Sequence, residues 1–248
     1  LEGNSLSAEQ VRKVLAGGEV RAFEKDLREV KNYDKVLDYI EKQYPKRGFQ
    51  VREATLREMN RIILEGIDDT CGGTYRSGMV LVQNTRTREI VFTPPNALKV
   101  PELVADLVAW LGEEKEISPV LEAAVAHYEL VRIHPFADGN GRGSRALAVL
   151  VLYRRGYDIR RVFSVEDYAD THPEEYYGAL RKTDKAGGDL TTFLAFFAQA
   201  LAVELGKVRE RIQAVSLDKD LRKRLGQVFL NSRQWEALLH LQKDPFLS

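Results

Sequence analysis

The chain has 248 residues, room for one large domain or for one domain with a small appendage. Its 44% apolar and 30% charged residues suit a globular protein in water, and 37 basic against 37 acidic side chains give no reason for bulk binding to nucleic acid or to an anionic membrane. The single cysteine, Cys71, excludes an intramolecular disulfide and any multi-cysteine zinc site, and no apolar run approaches the ~20 residues that cross a bilayer.

Most of the chain reads as helix. Ser7 with Gln10 forms a capping box, and Gly17-Gly18 ends the short helix it starts. Residues 20–44 continue as a long charged helix with Val30, Val36, Leu37 and Ile40 on its apolar positions, closed by Pro45. A third helix is expected over 55–65, stopped by Gly66. The period then changes. Met79 to Val82 and Ile90 to Phe92 are β-type runs around a polar stretch, so one β-hairpin is expected, ended by Thr93-Pro94-Pro95.

Helical pattern resumes from Pro101 to Leu111. Ser118-Pro119 is a good helix start, and the helix should end at Ile133, because the residue before Pro135 is biased away from helical angles. Residues 144–155 are so apolar that they read as a buried central helix closed by Gly156. Thr171 with Glu174 suggests another capping box, and a long helix is expected from Asp189 to about Gln213. Ser232 would cap a last helix through Trp235 and Leu238.

Residues 134–145 read His-Pro-Phe-Ala-Asp-Gly-Asn-Gly-Arg-Gly-Ser-Arg. Glycines at 139, 141 and 143 let backbone N–H groups approach a ligand, and the loop feeds the positive end of the next helix, a combination that suits phosphate. Arg142 and Arg145 lie three apart, so two guanidinium groups share one face of the first turn and match a polyphosphate. Asp138 supplies an oxygen of the kind Mg²⁺ takes beside substrate phosphates, and His134 can accept a proton from an attacking hydroxyl. On spacing alone the segment reads equally as a phosphate site or as an ordinary turn between helices.

The segment also resembles the Fic signature HxFx(D/E)GNGRxxR, matching it at His134, Phe136, Asp138, Gly139, Asn140, Gly141, Arg142 and Arg145. The likeness extends over about residues 1–210. Thr74-Tyr75-Arg76 with the following hairpin resembles the family's flap region, and 175–180 with Gly188-Asp189 resembles its downstream segment. The resemblance implies an all-α fold, a Fic-type helical bundle with one β-hairpin flap. It also implies transfer of AMP from ATP to a hydroxyl side chain of a target protein. His134 would be the general base and Phe136 an anchor in the core. Asp138 would hold Mg²⁺, and Gly139, Asn140 and Gly141 would bind phosphates through backbone and amide donors. Arg142 and Arg145 would take the β/γ end. Tyr176, Tyr177 and Leu180 would lie near the nucleoside, with Tyr176 and Leu180 reading equally as a core-facing helix surface. The hairpin at 79–93 would register the target by strand addition.

Glu2-Gly3 matches the end of the inhibitory pattern (S/T)xxxE(G/N) of the family, which implies that Glu2 pairs with Arg145 and obstructs the γ-phosphate. In some members the same glutamate serves removal of AMP instead. The family's kinase-like branch has lysine after the asparagine, so Gly141 favours the AMP branch, with another nucleotide still open. Residues 1–213 are expected to form the Fic domain with its inhibitory segment. Residues 214–248 would form a helical extension in which 230–235 resembles the opening of a winged-helix domain. That resemblance leaves a regulatory binding module, and nucleic acid through its further part, as the reading from another class. A reducing, cytoplasmic setting is expected from the lone cysteine and the lack of a visible signal peptide. Leu1 in the first position and the pattern after Ser232 suggest that sequence continues at both ends. Self-modification and a homodimer remain open, and no membrane partner is expected.

Overall fold

The computed structural model describes residues 4–43, 49–83, 90–114, 116–157, 168–169 and 171–217, with the side chains of 8, 83, 91 and 211–217 left aside. The helices are α1 (Ala8–Leu15), α2 (Glu24–Gln43), α3 (Glu53–Leu64), α4 (Val100–Gly112), α5 (Pro119–Ile133), α6 (Asn140–Arg154), α7 (Pro173–Lys185) and α8 (Thr191–Leu217). A short 3-10 turn, Ala97–Lys99, precedes α4. Two strands, β1 (Val82–Gln83) and β2 (Ile90–Phe92), pair antiparallel with an irregular register between Val82 and Gln83.

The capping box at Ser7 forms: Gln10 N–H donates to the Ser7 hydroxyl at 3.3 Å, and Ser7 N–H donates to the Gln10 side chain at 2.8 Å. Helix α5 ends at Ile133 as the Pro135 argument requires. Other boundaries move. Helix α2 starts at Glu24, four residues later than its apolar pattern suggested, because 19–23 link it to α1. Helix α6 starts at Asn140, four residues early, so the glycines at 141 and 143 are helical. Helix α7 starts at Pro173 with His172 at its cap, and the Thr171 hydroxyl donates back to Tyr168 O at 3.0 Å instead of capping the helix. The strands are shorter than the β-type runs: Met79 to Leu81 lie outside the ladder, and 84–89 lie outside the described residues. Helix α8 runs on to Leu217, past the boundary expected at 213, and the winged-helix-like segment at 230–235 lies outside the described residues.

Helices α5 and α6 pack against each other at the centre. Ala123, Ala124, Ala126, Ala146 and Ala148 are all buried, and such small side chains let the two backbones approach closely. The other helices cover this pair: α2 and α3 over one side of α6, α4 and α8 against α5, and α7 against α8. The far end of the pair is fixed by charge. Glu122, 1% exposed at its side chain, accepts from Arg154 at 2.6 Å and from Arg155, and Arg155 also donates to Ile117 O at 3.0 Å. A buried carboxylate is tolerable only with partners of this kind. At the near end, the α5–α6 connection carries the candidate site.

Candidate functional site

Helix α5 terminates with His134 in the left-handed region at φ 49° and ψ 58°, and among the described residues it is the only non-glycine at positive φ. That conformation turns the chain sharply and stores backbone strain where the chemistry-bearing side chain sits. The ring is oriented by Nδ1, 3.3 Å from Val131 O. A carbonyl can only accept, so Nδ1 carries the proton and the basic lone pair of the neutral ring is on Nε2. Phe92 of β2 stands edge-on to this ring with centroids 6.2 Å apart.

The loop then closes on itself. Phe136 is buried at 2% exposure, its ring 5.6 Å from Tyr75, and a β-bridge joins residues 75 and 136. The Asn140 carboxamide accepts from Phe136 N–H at 3.0 Å and donates to Phe136 O at 2.8 Å. Both ends of that amide are therefore used to shape the loop, and one amide hydrogen and the backbone N–H remain as further donors. Gly139 has φ +80°, and a Cβ there would sit 2.9 Å from Asn60 Nδ2 and 3.0 Å from Ile63 Cγ2. Glycine is required for both the angle and the space.

The first turn of α6 presents the unpaired N–H groups of a helix start. Arg142 and Arg145 extend from this turn and are 8% and 5% exposed. Arg142 has two anionic neighbours, Glu29 Oε1 at 3.3 Å and Asp138 Oδ1 at 3.5 Å. Behind Arg145 lies His127, fully buried, its Nε2 3.0 Å from the Tyr176 hydroxyl and its ring stacked on Phe193. Burial first and the Arg145 charge second pull the His127 pKa down to about 3, so it is a neutral core histidine. Asp138 is half exposed at its side chain, with Oδ1 accepting from Gly139 N–H.

The expected site residues separate into groups. His134, Asp138, Gly139, Gly141, Arg142 and Arg145 are brought together around the loop. Tyr176 is turned into the core among His127, Phe193 and Phe196, because its hydroxyl has a partner there, so it takes the packing role and not one beside a ligand. Leu180 lines a small recess of about 10 Å³ with Phe92, Tyr128, Val131, Arg132 and Asp184, and Tyr177 is half-buried on the same helix. Glu2 lies outside the described residues.

The structure adds residues that carry no motif. Asn60 of α3 donates to Asp138 O at 2.9 Å and accepts from Gly73 N–H at 2.9 Å, bridging the loop to the 66–75 turn. Glu29 of α2 pairs with Arg142 and accepts from Asn4 Nδ2 at 3.0 Å, while Asn4 also donates to Asp26 O and Ser5 donates to Asp26. Asp184 and Arg132 line the recess. A hint for Glu29 and Asn60 was their polarity on otherwise apolar helix faces. Cys71 is half-buried with its thiol 3.8 Å from Asp68 O, and burial raises its pKa.

An α5–α6 pair that presents a histidine, a glycine turn and two buried arginines at one end is the arrangement of a recognisable class of helical protein. Residues 50–152 match the Fic/DOC family. A crystal structure of a Fic family protein from Desulfovibrio desulfuricans G20 superposes with a TM-score of 0.72 at 30% identity, over 96% of this chain and 70% of that one. A Fic domain containing signalling protein from Bacteroides thetaiotaomicron VPI-5482 gives a TM-score of 0.69 at 29% identity, over 84% of this chain and 81% of that one. The chain belongs to the Fic family. Among curated proteins it is 33% identical over 204 residues to protein adenylyltransferase fic-1 of Caenorhabditis elegans, and 30% identical over 203 residues to protein adenylyltransferase Fic of Culex quinquefasciatus. Each alignment covers 80% of this chain and 37% of the relative, so the chain spans little more than a third of the length of these curated relatives.

Proposed function

We propose that this chain is the catalytic part of a protein adenylyltransferase, moving AMP from ATP to a Ser, Thr or Tyr hydroxyl of a target protein. The observation that carries the reading is the end of the α5–α6 pair, where a histidine oriented by Val131 O precedes by six residues a helix start bearing two buried arginines. Relatives named protein adenylyltransferase support the choice of AMP as the transferred group.

In this reading His134 Nε2 takes the proton of the target hydroxyl as its oxygen attacks the α-phosphorus, and pyrophosphate leaves. General-base help of this kind is worth about 10²–10⁴-fold. The backbone N–H groups of Gly139, Asn140 and Gly141 cradle the phosphates, and Arg142 and Arg145 balance charge on the leaving side. Asp138 suits Mg²⁺: it is exposed, one carboxylate oxygen already faces the loop, and Mg²⁺ needs only one or two carboxylates when phosphates supply the rest. The metal would neutralise phosphate charge there. The face of α7 that carries Tyr177 and Leu180, near Phe92 and His134, is the proposed place for the nucleoside. The 79–93 segment acts as a flap that registers the target by strand addition, and the exposed Met79, Leu81 and Ile90 beside the short ladder support this.

Glu2 is proposed as an inhibitory partner of Arg145. Support comes from its neighbour Asn4, which is held by Glu29, the same carboxylate that pairs with Arg142. This places residue 4 one side chain from the loop. Removal of AMP by the same site is the second direction of this chemistry. The proposed setting is the cytoplasm.

The test is transfer of label from ATP labelled at the α-phosphate, with Mg²⁺, into the proteins of a cell lysate. Label that appears with the parent, rises with Glu2→Gly and vanishes with His134→Ala is the expected result. Equal labelling by parent and Glu2→Gly would remove the inhibitory role. Clear nucleotide binding without label from either form would overturn AMP transfer and favour AMP removal or another group.

A further inference from the structure

Arg76 lies outside the signature loop, yet it is 6% exposed, and among the described residues its guanidinium meets only main-chain oxygens. Nε donates to His134 O at 2.7 Å. Nη1 donates to Gly78 O at 2.9 Å. Nη2 donates to Pro95 O at 2.5 Å and stands 3.4 Å from Ile133 O. The Arg76 backbone N–H donates to Pro135 O at 2.9 Å. Four of the five guanidinium donors are thus engaged, and no carboxylate among the described residues pairs with the charge. Burying a cation without an anion is costly, and that burial lowers the Arg76 pKa.

The carbonyls explain why the arrangement holds. Ile133 is the last residue of α5 and His134 its cap, so their oxygens lie at the negative end of the helix and have no partner within it. A guanidinium there satisfies them and meets a favourable dipole. The other two carbonyls, Gly78 and Pro95, flank the β1–β2 ladder on its two sides in the chain. One side chain therefore joins both entrances of the ladder to the strained turn that carries the histidine.

The geometry points to Arg76 as a positioning residue of the transfer reaction: it holds the strained His134 turn and the base of the β1–β2 ladder as a single unit, so that a hydroxyl presented by a target on the ladder meets His134 at a fixed distance. This rests on the transferase reading above. Lysine cannot replace it. An ammonium is a point donor and cannot reach four carbonyls on separate sides, whereas the planar fork can.

The experiment compares the parent chain, Arg76→Gln and Arg76→Lys by hydrogen exchange, by ATP affinity and by turnover at saturating ATP. For Arg76→Gln, exchange at 77–83, 90–96 and 133–137 is expected to rise together by at least about tenfold, with 144–152 inside α6 unchanged. ATP affinity should stay within about threefold while kcat falls about 100-fold, the size of a small misplacement of reacting groups. Arg76→Lys should give the same pattern in weaker form and guards against a glutamine variant that fails to fold. Loosening of one segment without the other, or of 144–152 to the same extent, would overturn the proposal. So would a loss of kcat matched by an equal loss of ATP affinity. If neither the parent nor Glu2→Gly transfers label, the adenylyltransferase reading fails by itself, and the exchange pattern still decides whether Arg76 couples the two segments.

Discussion

His134 and Gly139 show how single positions make this site. Both have positive φ, but only one is glycine. At residue 134 the strain is accepted because the side chain is needed, and the surrounding bonds from Arg76 and to Val131 hold it in place. At residue 139 no side chain is tolerated. Gly139→Ala combines a left-handed angle with a Cβ 2.9 Å from Asn60 Nδ2 and 3.0 Å from Ile63 Cγ2. The expected loss is about 1–3 kcal/mol of stability, read from the urea midpoint, with weaker ATP binding because the loop must shift. An alanine variant as stable as the parent would show that the loop is more pliable than its angles suggest. The same scale explains Asn140: its amide is engaged twice with Phe136, so an aspartate, which cannot donate to Phe136 O, is a poor substitute.

At the scale of elements, the loop is held from outside by α2, α3 and the 66–75 turn. Asn60 is 1% exposed and bonds both Asp138 O and Gly73 N–H, so one carboxamide sets the spacing between two glycine-containing turns. Asn60→Ala leaves two part-buried backbone groups without this partner. About 2 kcal/mol of destabilisation is expected, the low end of the roughly 1–3 kcal/mol for each orphaned group, because both groups keep access to water. Thermal unfolding of the two forms checks this, and a smaller change would mean that water replaces the carboxamide. Much of this scaffold was legible beforehand. The capping box at Ser7, the stop at Ile133 and the buried α6 follow from local chemistry that needs no distant partner. The starts of α6 and α7 were misplaced for an equally physical reason. Glycines at 141 and 143 argue against helix in isolation, and the packing of Gly143 near Ile63 and Leu130 outweighs that propensity. Thr171 looked like a cap until its hydroxyl proved to bond backward to Tyr168.

For the whole molecule, the relevant quantity is how stability responds to pH, and His127 dominates one part of it. Its pKa in the fold is about 3 against an ordinary 6.5, because the buried ring is beside Arg145. Above pH 6.5 the ring is neutral in folded and unfolded chains alike. As pH falls below 6.5 the unfolded chain takes up a proton that the folded chain refuses, so stability declines by up to about 1.4 kcal/mol per pH unit until near pH 3. Urea midpoints for the parent and His127→Leu across that window measure the difference. The leucine form should be less stable near pH 7, where the bond to Tyr176 is lost, and should lack this share of the acid slope. Parallel curves for the two forms would show that His127 is protonated in the fold after all.

The sequence by itself determined the helical class, most helix ends and the loop from His134 to Arg145, because capping, proline placement and glycine spacing act within a few residues and leave a local pattern. It also pointed to Glu2, whose structural place lies outside the described residues. Only the tertiary structure tied Arg76, Asn60 and Glu29 to the loop, and only it placed His127 and Tyr176 together in the core behind it. Arg76 reaches His134 across 58 positions and Asn60 reaches Asp138 across 78. Bonds of that kind run from a side chain to a distant backbone, so they impose no period and no spacing on the chain. They exist only once the helices have packed and brought those carbonyls within reach.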